Sequence, residues 1–529
     1  MGPFLKDSFG LVEVSVNELI ELGGTIHASH GRGVDDIDPA IGLSSLSIIA
    51  HPLVEIINCS FKVGIFPQAL KIAKVVPIFK QGSREEASNY RPISVLPFFS
   101  KVFEKAMHTR LNNFILKSNI LFSSQHGFQS GHSTFMPLLS MQDKITAAMD
   151  NNEFSVGVFL DLAKAFDTIN HSILIKKLSI YGIRNTQLNW FKSYLENRMQ
   201  LVSSNGVHSP LKSIKYGVPQ GSILGPLLFI LYINDLPNVS PTSFFILFAD
   251  DTNVFNCHSS LETLIRHTNT ELEKIAEWFK ANKLTLNIDK TNYILFRSSK
   301  KSLTLNLPNL SIMGTPIAQV ISTKFLGVYV DQNLSWKEHI SNISSKIAKN
   351  LGILSRVARF LPLEARSTLY YTLIYPYLTY CNIIWASAYK SNLSKLVILQ
   401  KRSVRFIAKI PSGAHTTPKF LEHNLLNIDQ IRQLQLGTFM YRYIHNQLPS
   451  TYQNFFHLSA SIHSYPSRNP NSFYIPFART NARLSSVKYA GPRNWNAIPT
   501  SIRSLPLLHI FKRKLRTYII NGAYVTNTK

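Results

Sequence analysis

The sequence predicts an α+β fold, because segments with helical and strand periodicity follow one another irregularly along its first 335 residues. Short runs of β-branched and aromatic residues, such as 154–159 and 243–248, indicate buried strands. Longer segments in which apolar residues recur every three or four positions, such as 97–116 and 261–279, indicate amphipathic helices. After Trp336 the pattern is helical and basic. We therefore expect a mixed region followed by a basic helical C-terminal region.

The individual elements follow from the same two periods and from turn residues. Predicted strands lie at 74–80, 154–159, 243–248, 252–255, 284–288, 303–305, 317–320 and 325–330, with an extended segment at 89–94. Pro92 supports that segment, because the residue before a proline is kept out of the helical region. Asn205-Gly206 is typical of a hairpin turn. Apolar stripes predict further helices around 174–178, 188–195 and 340–354.

The charge balance points to a polyanionic partner. The 529 residues include 56 Lys and Arg against 30 Asp and Glu, a net charge of +26. From residue 351 onward, 23 Lys and Arg stand against Glu364, Glu422 and Asp429 alone. Such a surplus most often serves nucleic-acid binding, although a solvated basic surface without a ligand is the alternative. The 33 Phe and 21 Tyr exclude wholesale disorder.

Other classes of protein are disfavoured by what the sequence contains. The three cysteines, Cys59, Cys257 and Cys381, are too scattered for a disulfide scaffold or a zinc site. The longest apolar run, 223–233, is about half of the roughly 20 residues of a membrane-spanning helix. The N-terminus lacks the pattern of a secretory signal. We expect a protein that is neither secreted nor inserted in a membrane.

Three aspartates carry the candidate chemistry. Asp161 ends one apolar strand, and Asp250 and Asp251 occupy the turn of an apolar hairpin. Carboxylates from neighbouring strands can hold two divalent ions about 3.5–4 Å apart, which is how nucleotidyl transfer is commonly catalysed. Mg²⁺ prefers such hard oxygen ligands. Taken alone, an Asp-Asp pair is more often a plain turn, so the surrounding sequence has to decide.

That surrounding sequence forms an ordered set of motifs. The segments are 159–168 (FLDLAKAFDT), 216–226 (YGVPQGSILGP) and 248–252 (FADDT). Together they resemble the reverse transcriptase of non-LTR (LINE-type) retrotransposons of the jockey-like group, and the resemblance extends over at least residues 70–335. It implies a right-hand polymerase with fingers, palm and thumb that extends a DNA primer on an RNA template from deoxynucleoside triphosphates. It also implies two Mg²⁺ ions, replaceable by Mn²⁺, held by Asp161, the Leu162 backbone, Asp250 and Asp251.

The resemblance assigns roles around the incoming nucleotide. Phe166 is expected under the sugar, where an aromatic ring excludes a 2′-hydroxyl; a core phenylalanine is the alternative. Gln220 and Gly221 match the loop that lies against the nucleotide and the templating base. Lys80 and Arg91 are expected to bind the triphosphate, Arg91 through its bidentate fork.

Further positions are assigned in the same way. Lys290 matches a lysine near the leaving pyrophosphate, a candidate general acid, although a solvent-facing lysine is equally compatible with the sequence. Gly327 lies in a segment similar to the hairpin that holds the primer end. The segment 125–134 (QHGFQSGHST) matches another motif of the group, in which a basic residue often stands where Gln129 stands. The residues expected to line the template–primer duplex are Lys395, Lys401, Arg402 and Arg405.

These assignments divide the chain into four regions. They are an N-terminal extension (1–60), fingers and palm (61–335), a thumb-like helical region (336–410) and a basic C-terminal region (411–529). Relatives usually carry an endonuclease ahead of the polymerase, and we expect none here, so either the reading frame is truncated or a separate endonuclease is a partner. Two other functions stay open: a catalytically inactive polymerase-fold relic that binds RNA, and an intron-encoded maturase.

Overall fold

A computed structural model describes residues 9–10, 12–26, 31–298, 301, 309–357, 360–462 and 472–522. The helices in these ranges are α1 (Val16–Gly24), α2 (Pro39–Val63), α3 (Phe98–Lys117), α4 (Phe135–Asp150), α5 (His171–Ile180), α6 (Asn185–Leu195), α7 (Gly225–Ile233), α8 (Leu261–Ala281), α9 (Lys337–Val357), α10 (Leu363–Leu373), α11 (Tyr375–Thr379), α12 (Asn382–Trp385), α13 (Lys390–Ala408), α14 (Thr417–Glu422), α15 (Ile428–Ile444), α16 (Ser459–Ile462), α17 (Asn481–Ser485), α18 (Val487–Asn496), α19 (Thr500–Arg503) and α20 (Leu508–Ile520). The strands are β1 (Ile72–Phe79), β2 (Tyr90–Val95), β3 (Phe154–Leu160), β4 (Arg198–Ser204), β5 (Val207–His208), β6 (Lys212–Ile214), β7 (Phe244–Phe248), β8 (Asp251–His258), β9 (Asn292–Phe296), β10 (Ser311–Ile312), β11 (Thr315–Pro316), β12 (Ala318–Gln319), β13 (Ser322–Phe325) and β14 (Val328–Asp331). The predicted mixture of helices and strands is confirmed.

One sheet, the N-terminal sheet, is built from β1, β2, β4, β5 and β6. Its strand order is β2-β1-β4-β5, with β6 also paired to β4. The β1–β2 pair is antiparallel and sets Ile78 opposite Arg91. The predicted turn at Asn205-Gly206 is confirmed, because it joins the antiparallel strands β4 and β5.

The second sheet, the central sheet, has the order β12-β9-β3-β8-β7. Its strands alternate buried residues between two faces, as a pleated sheet covered on both sides requires. On the α8 face, which packs against α8, the buried residues are Val156, Val158, Leu160, Phe245, Leu247, Val254, Tyr293 and Leu295. On the α4 face, which packs against α4, they are Phe159, Ile246, Phe255, Ile294 and Phe296. The sheet thus separates two hydrophobic cores.

Helix α2 belongs to the core on the α8 face. Leu46, Ile57 and Phe61 are buried, and the helix packs against α1, α3 and α6. By length and composition it is the one candidate membrane span within the described residues, with a mean hydropathy of 1.7 and 33% of that stretch buried. The expectation that the protein lies outside membranes stays a prediction. The predicted region boundary at residue 60 falls inside this helix.

The region after β14 is helical where it is described. α9 packs against α13, and α15 packs against α18 and α20. The C-terminal part also returns to α4: the Arg483 guanidinium lies 2.6 Å from the Asp143 carboxylate, and Tyr452 donates a hydrogen bond to the Met136 carbonyl at 2.9 Å. Residues beyond 410 therefore help to form the core on the α4 face.

Three predicted strands differ from the structure, and a fourth cannot be compared. Residues 284–288 are not a strand; Leu286 makes an isolated bridge with Leu162, and a turn begins at Ile288. Residues 325–330 are two strands, not one, because the chain reverses between Phe325 and Val328. The strand predicted at 317–320 is shortened to β12. The strand at 303–305 lies outside the described residues.

Candidate active site

The three aspartates meet at one edge of the central sheet. In the β3–β8 ladder Leu160 lies opposite Thr252, so Asp161 follows directly beside the start of β8. The β7–β8 ladder closes with Phe248 opposite Asp251. Asp250 therefore stands in the two-residue turn between β7 and β8. Its neighbour in that turn, Ala249, has a left-handed φ of +56°.

The aspartates are electrostatically coupled. The pKa of Asp251 is raised to about 6, first by burial of the carboxyl and then by the negative charges of Asp250 and Asp161. The pKa of Asp250 is raised for the same reason and by Asp161, while Arg91 and Lys80 lower it. The charges of Asp161, Asp250 and Asp251 thus act on one another, and the charges of Arg91 in β2 and of Lys80, which follows β1, also act on Asp250.

The segment that carries Lys290 is attached to the backbone around Asp161. Asn287 donates its N–H to the Asp161 carbonyl at 2.8 Å. The Thr291 hydroxyl accepts the Asp161 N–H at 3.2 Å and donates to the Asn287 carbonyl at 2.9 Å. Lys290 lies exposed in the turn between these two contacts. The lysine is therefore held on the same edge of the sheet as the aspartates.

Phe166 lies partly buried next to two other rings. Its centroid is 4.8 Å from that of Phe229 and 6.2 Å from that of Phe128, which is half-exposed. The Phe166 carbonyl accepts the Val218 N–H at 2.9 Å. One side of the ring is thus packed in the core while the residue keeps some exposure, five residues after Asp161.

The loop with Gln220 and Gly221 is attached to the N-terminal sheet. Ser94 of β2 donates its N–H to the Gln220 carbonyl at 2.7 Å. A Cβ atom on Gly221 would lie 2.5 Å from the Ser94 carbonyl oxygen, and the Gly221 φ is +124°. Glycine is required there because both the close approach and the backbone angle exclude a side chain.

Gly327 forms the turn of the β13–β14 hairpin. Its φ is +81°, and Leu326 before it has a φ of +45°. Tyr380 closes over this turn: its hydroxyl donates to the Leu326 carbonyl at 2.6 Å, and its ring lies 3.4 Å from where a Gly327 Cβ would stand. The hairpin is thereby attached to the helical region that follows it.

The four basic residues predicted to line a duplex all lie on α13 and differ in exposure. Lys395, Lys401 and Arg402 are exposed. Arg405 is half-buried and donates a hydrogen bond to the Ala414 carbonyl at 3.1 Å. Three of the four therefore present their charge to solvent, and the fourth is engaged within the protein.

Comparison with known proteins identifies the region that contains the aspartates. A family described as reverse transcriptase (RNA-dependent DNA polymerase) matches residues 78–330. These residues are a reverse-transcriptase domain. Such domains have the right-hand polymerase fold, while the bounds assigned to fingers, palm and thumb stay predictions.

The chain also has homologues over a longer stretch. In Drosophila melanogaster, the probable RNA-directed DNA polymerase from transposon BS is 29% identical over 80% of this chain and 48% of its own length. The RNA-directed DNA polymerase from mobile element jockey is 30% identical over 68% of this chain and 40% of its own length. The probable RNA-directed DNA polymerase from transposon X-element is 30% identical over 66% of this chain and 39% of its own length. The resemblance to jockey-like elements is thus confirmed, and this chain spans less than half the length of these relatives.

Reverse-transcriptase domains use divalent metal ions, and the aspartates of this domain suit such ions by chemistry. Asp161, Asp250 and Asp251 are hard oxygen donors. Burial, and then repulsion from the neighbouring aspartates, raises the pKa of Asp250 and Asp251, and a cation relieves that repulsion. Within the described part of the chain, no three His, Cys, Asp or Glu side chains are gathered closely enough to bind an ion together.

Two acidic residues of the reverse-transcriptase domain were not assigned a role from sequence. The Asp167 carboxylate accepts the Gln220 amide with its two oxygens at 2.9 and 3.1 Å. The fully buried Glu104 of α3 accepts the Ile223 N–H at 2.6 Å and the Tyr194 hydroxyl at 3.1 Å. Burial raises the pKa of both carboxyls. The Gln220 loop is therefore held from both sides.

The sequence offered a signal for only one of these two residues. Asp167 lies within the motif 159–168, where a second acidic residue six positions after Asp161 could have been singled out. Glu104 lies on a helix far from any motif, and its contact with the loop is a tertiary one.

Proposed function

We propose that this chain is an RNA-directed DNA polymerase of a non-LTR retrotransposon that extends a DNA 3′-hydroxyl on an RNA template. One observation carries the proposal: Asp161, Asp250 and Asp251 share one edge of the central sheet, and the charges of Arg91 in β2 and of Lys80 after β1 act on Asp250. Carboxylates close to cationic side chains suit a triphosphate, because its metal ions need anionic ligands and its phosphates need cationic ones.

For the metal we infer two Mg²⁺ ions, with Mn²⁺ as a substitute. Asp161, the Leu162 carbonyl and Asp250 would hold them, and Asp251 would be a weaker or outer ligand. Bound divalent ions neutralise the developing charge of an in-line displacement at phosphorus. The residues of the chain then fix where the primer hydroxyl and the α-phosphate lie with respect to one another.

For the nucleotide we infer that Arg91 and Lys80 bind phosphate oxygens. Phe166 would lie under the sugar and leave no room for a 2′-hydroxyl, and the Gln220–Gly221 backbone would border the base. Lys290 would give a proton to the leaving pyrophosphate or stabilise its charge. The attachment of its segment to Asp161 supports that role, because it keeps the lysine at the carboxylate edge.

For template and primer we infer a surface on the helical region. The Gly327 turn would hold the primer end, and Lys395, Lys401 and Arg402 would bind backbone phosphates without reading sequence. Arg405 is the weaker candidate of this group, because it already donates to Ala414. Binding should weaken steeply with salt, as expected when several phosphates are neutralised.

Primer extension tests the proposal against an inactive relic. Purified protein with a primed RNA template, Mg²⁺ and deoxynucleotides should extend the primer, and Asp250→Asn should abolish extension while RNA affinity changes less than about threefold. Omission of the metal should have the same effect as the substitution. Tight RNA binding without extension by the wild type would favour the relic.

Sugar selection tests the role of Phe166. Phe166→Val should raise the incorporation of ribonucleotides relative to deoxynucleotides by about tenfold or more, because a smaller side chain leaves space for the 2′-hydroxyl. Phe229→Val is the matched control, since it removes the ring against which Phe166 packs. An unchanged sugar preference in Phe166→Val would remove Phe166 from the site.

A further inference from the structure

The segment before Phe128 lies directly along the hairpin that carries Asp250. His126 donates its N–H to the Leu247 carbonyl at 2.8 Å, and Leu247 donates its N–H to the Ser124 carbonyl at 3.0 Å. The segment thereby extends the central sheet by a short parallel bridge beyond β7, its outermost strand. The sequence motif 125–134 thus has a place in the fold, next to the catalytic turn.

The contact between this segment and the turn is one of backbone against backbone. A Cβ atom on Gly127 would lie 2.2 Å from the Ala249 nitrogen and 3.0 Å from the Phe248 carbonyl carbon. Neither atom can move without displacing the turn itself. Any side chain at Gly127 would therefore shift the residue that precedes Asp250.

The Gln125 side chain connects the two backbones by hydrogen bonds. Its side-chain oxygen accepts the Gly127 N–H at 2.8 Å and the Ala249 N–H at 3.3 Å, and the residue is 1% exposed. Ala249 needs such support because its φ of +56° is a conformation that residues other than glycine rarely adopt. Gln125 thus accepts a hydrogen bond from the strained residue of the turn.

We propose that Gln125 is a positioning residue for the polymerase reaction. Its side-chain amide oxygen holds Ala249 in the left-handed conformation. This conformation sets the direction in which the next residue, Asp250, presents its carboxylate. Gln125 acts through Ala249 and touches neither substrate nor metal. The inference rests on the proposed polymerase function for its kinetic consequence, but not for the contact itself.

Steady-state kinetics of primer extension with Gln125→Met test the consequence. Methionine fills a similar volume without a comparable hydrogen-bond acceptor, so kcat should fall at least tenfold while the KM for deoxynucleotide changes less than threefold. Gln142→Met is the matched control: Gln142 is equally buried but lies on α4 and contacts Ile384 and Ser387. Equal losses of kcat in the two variants, or an unchanged kcat in Gln125→Met, would overturn the proposal.

Two conservative variants decide the question if Gln125→Met does not fold. Gln125→Glu keeps an acceptor oxygen at the same reach, and Gln125→Asn keeps the amide but is one methylene shorter. The proposal expects the glutamate variant to retain kcat within about threefold and the asparagine variant to lose at least tenfold. Similar kcat values in the two variants would contradict it.

Amide hydrogen exchange tests the contact independently of activity. In Gln125→Met the Ala249 N–H should exchange at least tenfold faster than in the wild type, and in Gln142→Met it should not. If the wild type fails to extend primers, the polymerase proposal fails while this measurement still decides the role of Gln125. Unchanged protection of Ala249 would show that Gln125 does not hold the turn.

Discussion

The two faces of the central sheet are covered by different parts of the chain. The α8 face packs against helices that lie between residues 39 and 281, close in sequence to the strands themselves. The α4 face packs against α4, and α4 in turn packs against α12, α17 and α18, so residues beyond 410 belong to the same hydrophobic core. The β3 strand contributes alternately to each side. The central sheet therefore has α8 on one face, and on the other face α4, to which the C-terminal region is attached.

A partly buried ion pair can be compared on each side of the sheet. On the α8 face, Lys177 lies 2.5 Å from Asp235 and 4.6 Å from the centroid of Trp278. On the α4 face, Arg483 lies 2.6 Å from Asp143. The first pair joins residues 58 positions apart and the second joins residues 340 apart. The C-terminal region therefore supports the central sheet through α4 and is not merely an appended basic tail.

The largest effect is expected where the α4 face has no free space. A Cβ at Gly157 would lie 2.6 Å from the Phe255 ring and 2.9 Å from the Phe296 ring. Gly157→Val should therefore lower the free energy of unfolding by about 3 kcal/mol through overpacking, as measured by denaturant unfolding. Gly413→Val is the control, because no atom lies within 4 Å of a Cβ there. Equal stability of the two variants would mean that the α4 face is loosely packed.

A smaller effect should follow from releasing the C-terminal region. Arg483 donates to the Asp143 carboxylate at 2.6 Å, to the Asp143 carbonyl at 2.8 Å and to the Thr146 hydroxyl at 3.0 Å. Arg483→Met removes all three hydrogen bonds and leaves a partly buried carboxylate, so the free energy of unfolding should fall by about 2–3 kcal/mol. Primer extension should then be lost at a lower temperature than in the wild type.

An exposed arginine provides the control for that measurement. Arg513 lies on the outer side of α20, and Arg513→Met removes the same charge without disturbing α4. Its free energy of unfolding should change by less than about 0.5 kcal/mol. If both variants were equally stable, the contact between the C-terminal region and α4 would contribute nothing, and the two faces of the sheet would differ less than the structure indicates.

The sequence allowed the positions of the three aspartates at strand ends to be predicted because the signals are local. A buried strand that ends in Asp161 and an apolar hairpin with Asp250 in its turn can each be recognised within about ten residues. The helix α4 could not be predicted in this way. It buries residues on most of its circumference, among them Met136, Leu139 and Ile145, so it lacks the polar face that makes an amphipathic period visible.

Tertiary contacts account for what the sequence did not predict. Residues 284–288 alternate as a strand does, but the backbone there pairs with the chain after β3, around Leu162, and ends in a turn. The left-handed Ala249 and its contact with Gln125 join segments 124 residues apart. No local period reports such contacts, and they are the ones that hold the Asp250 turn and the Lys290 segment in place.

The smallest effect concerns His339, which joins α9 to the β14 strand on the α4 side. His339 is 3% exposed, accepts the Tyr329 N–H at 3.4 Å and packs on Trp385. Burial, and then the charge of Lys346, lower its pKa to about 4. Below pH 6.5 the unfolded chain therefore binds a proton at His339 that the folded chain does not bind. The free energy of unfolding should fall as the pH is lowered from 7 to 5.

Comparison with His339→Asn isolates this contribution, because the asparagine oxygen can accept the Tyr329 N–H but does not titrate. At 1.36 kcal/mol per pKa unit, the wild type should lose about 2 kcal/mol more than the variant between pH 7 and pH 5. Other groups titrate alike in the two proteins and cancel in the difference. Parallel stability curves for wild type and variant over this range would show that His339 can be protonated in place, and that the junction between α9 and β14 is more open to water than its burial indicates.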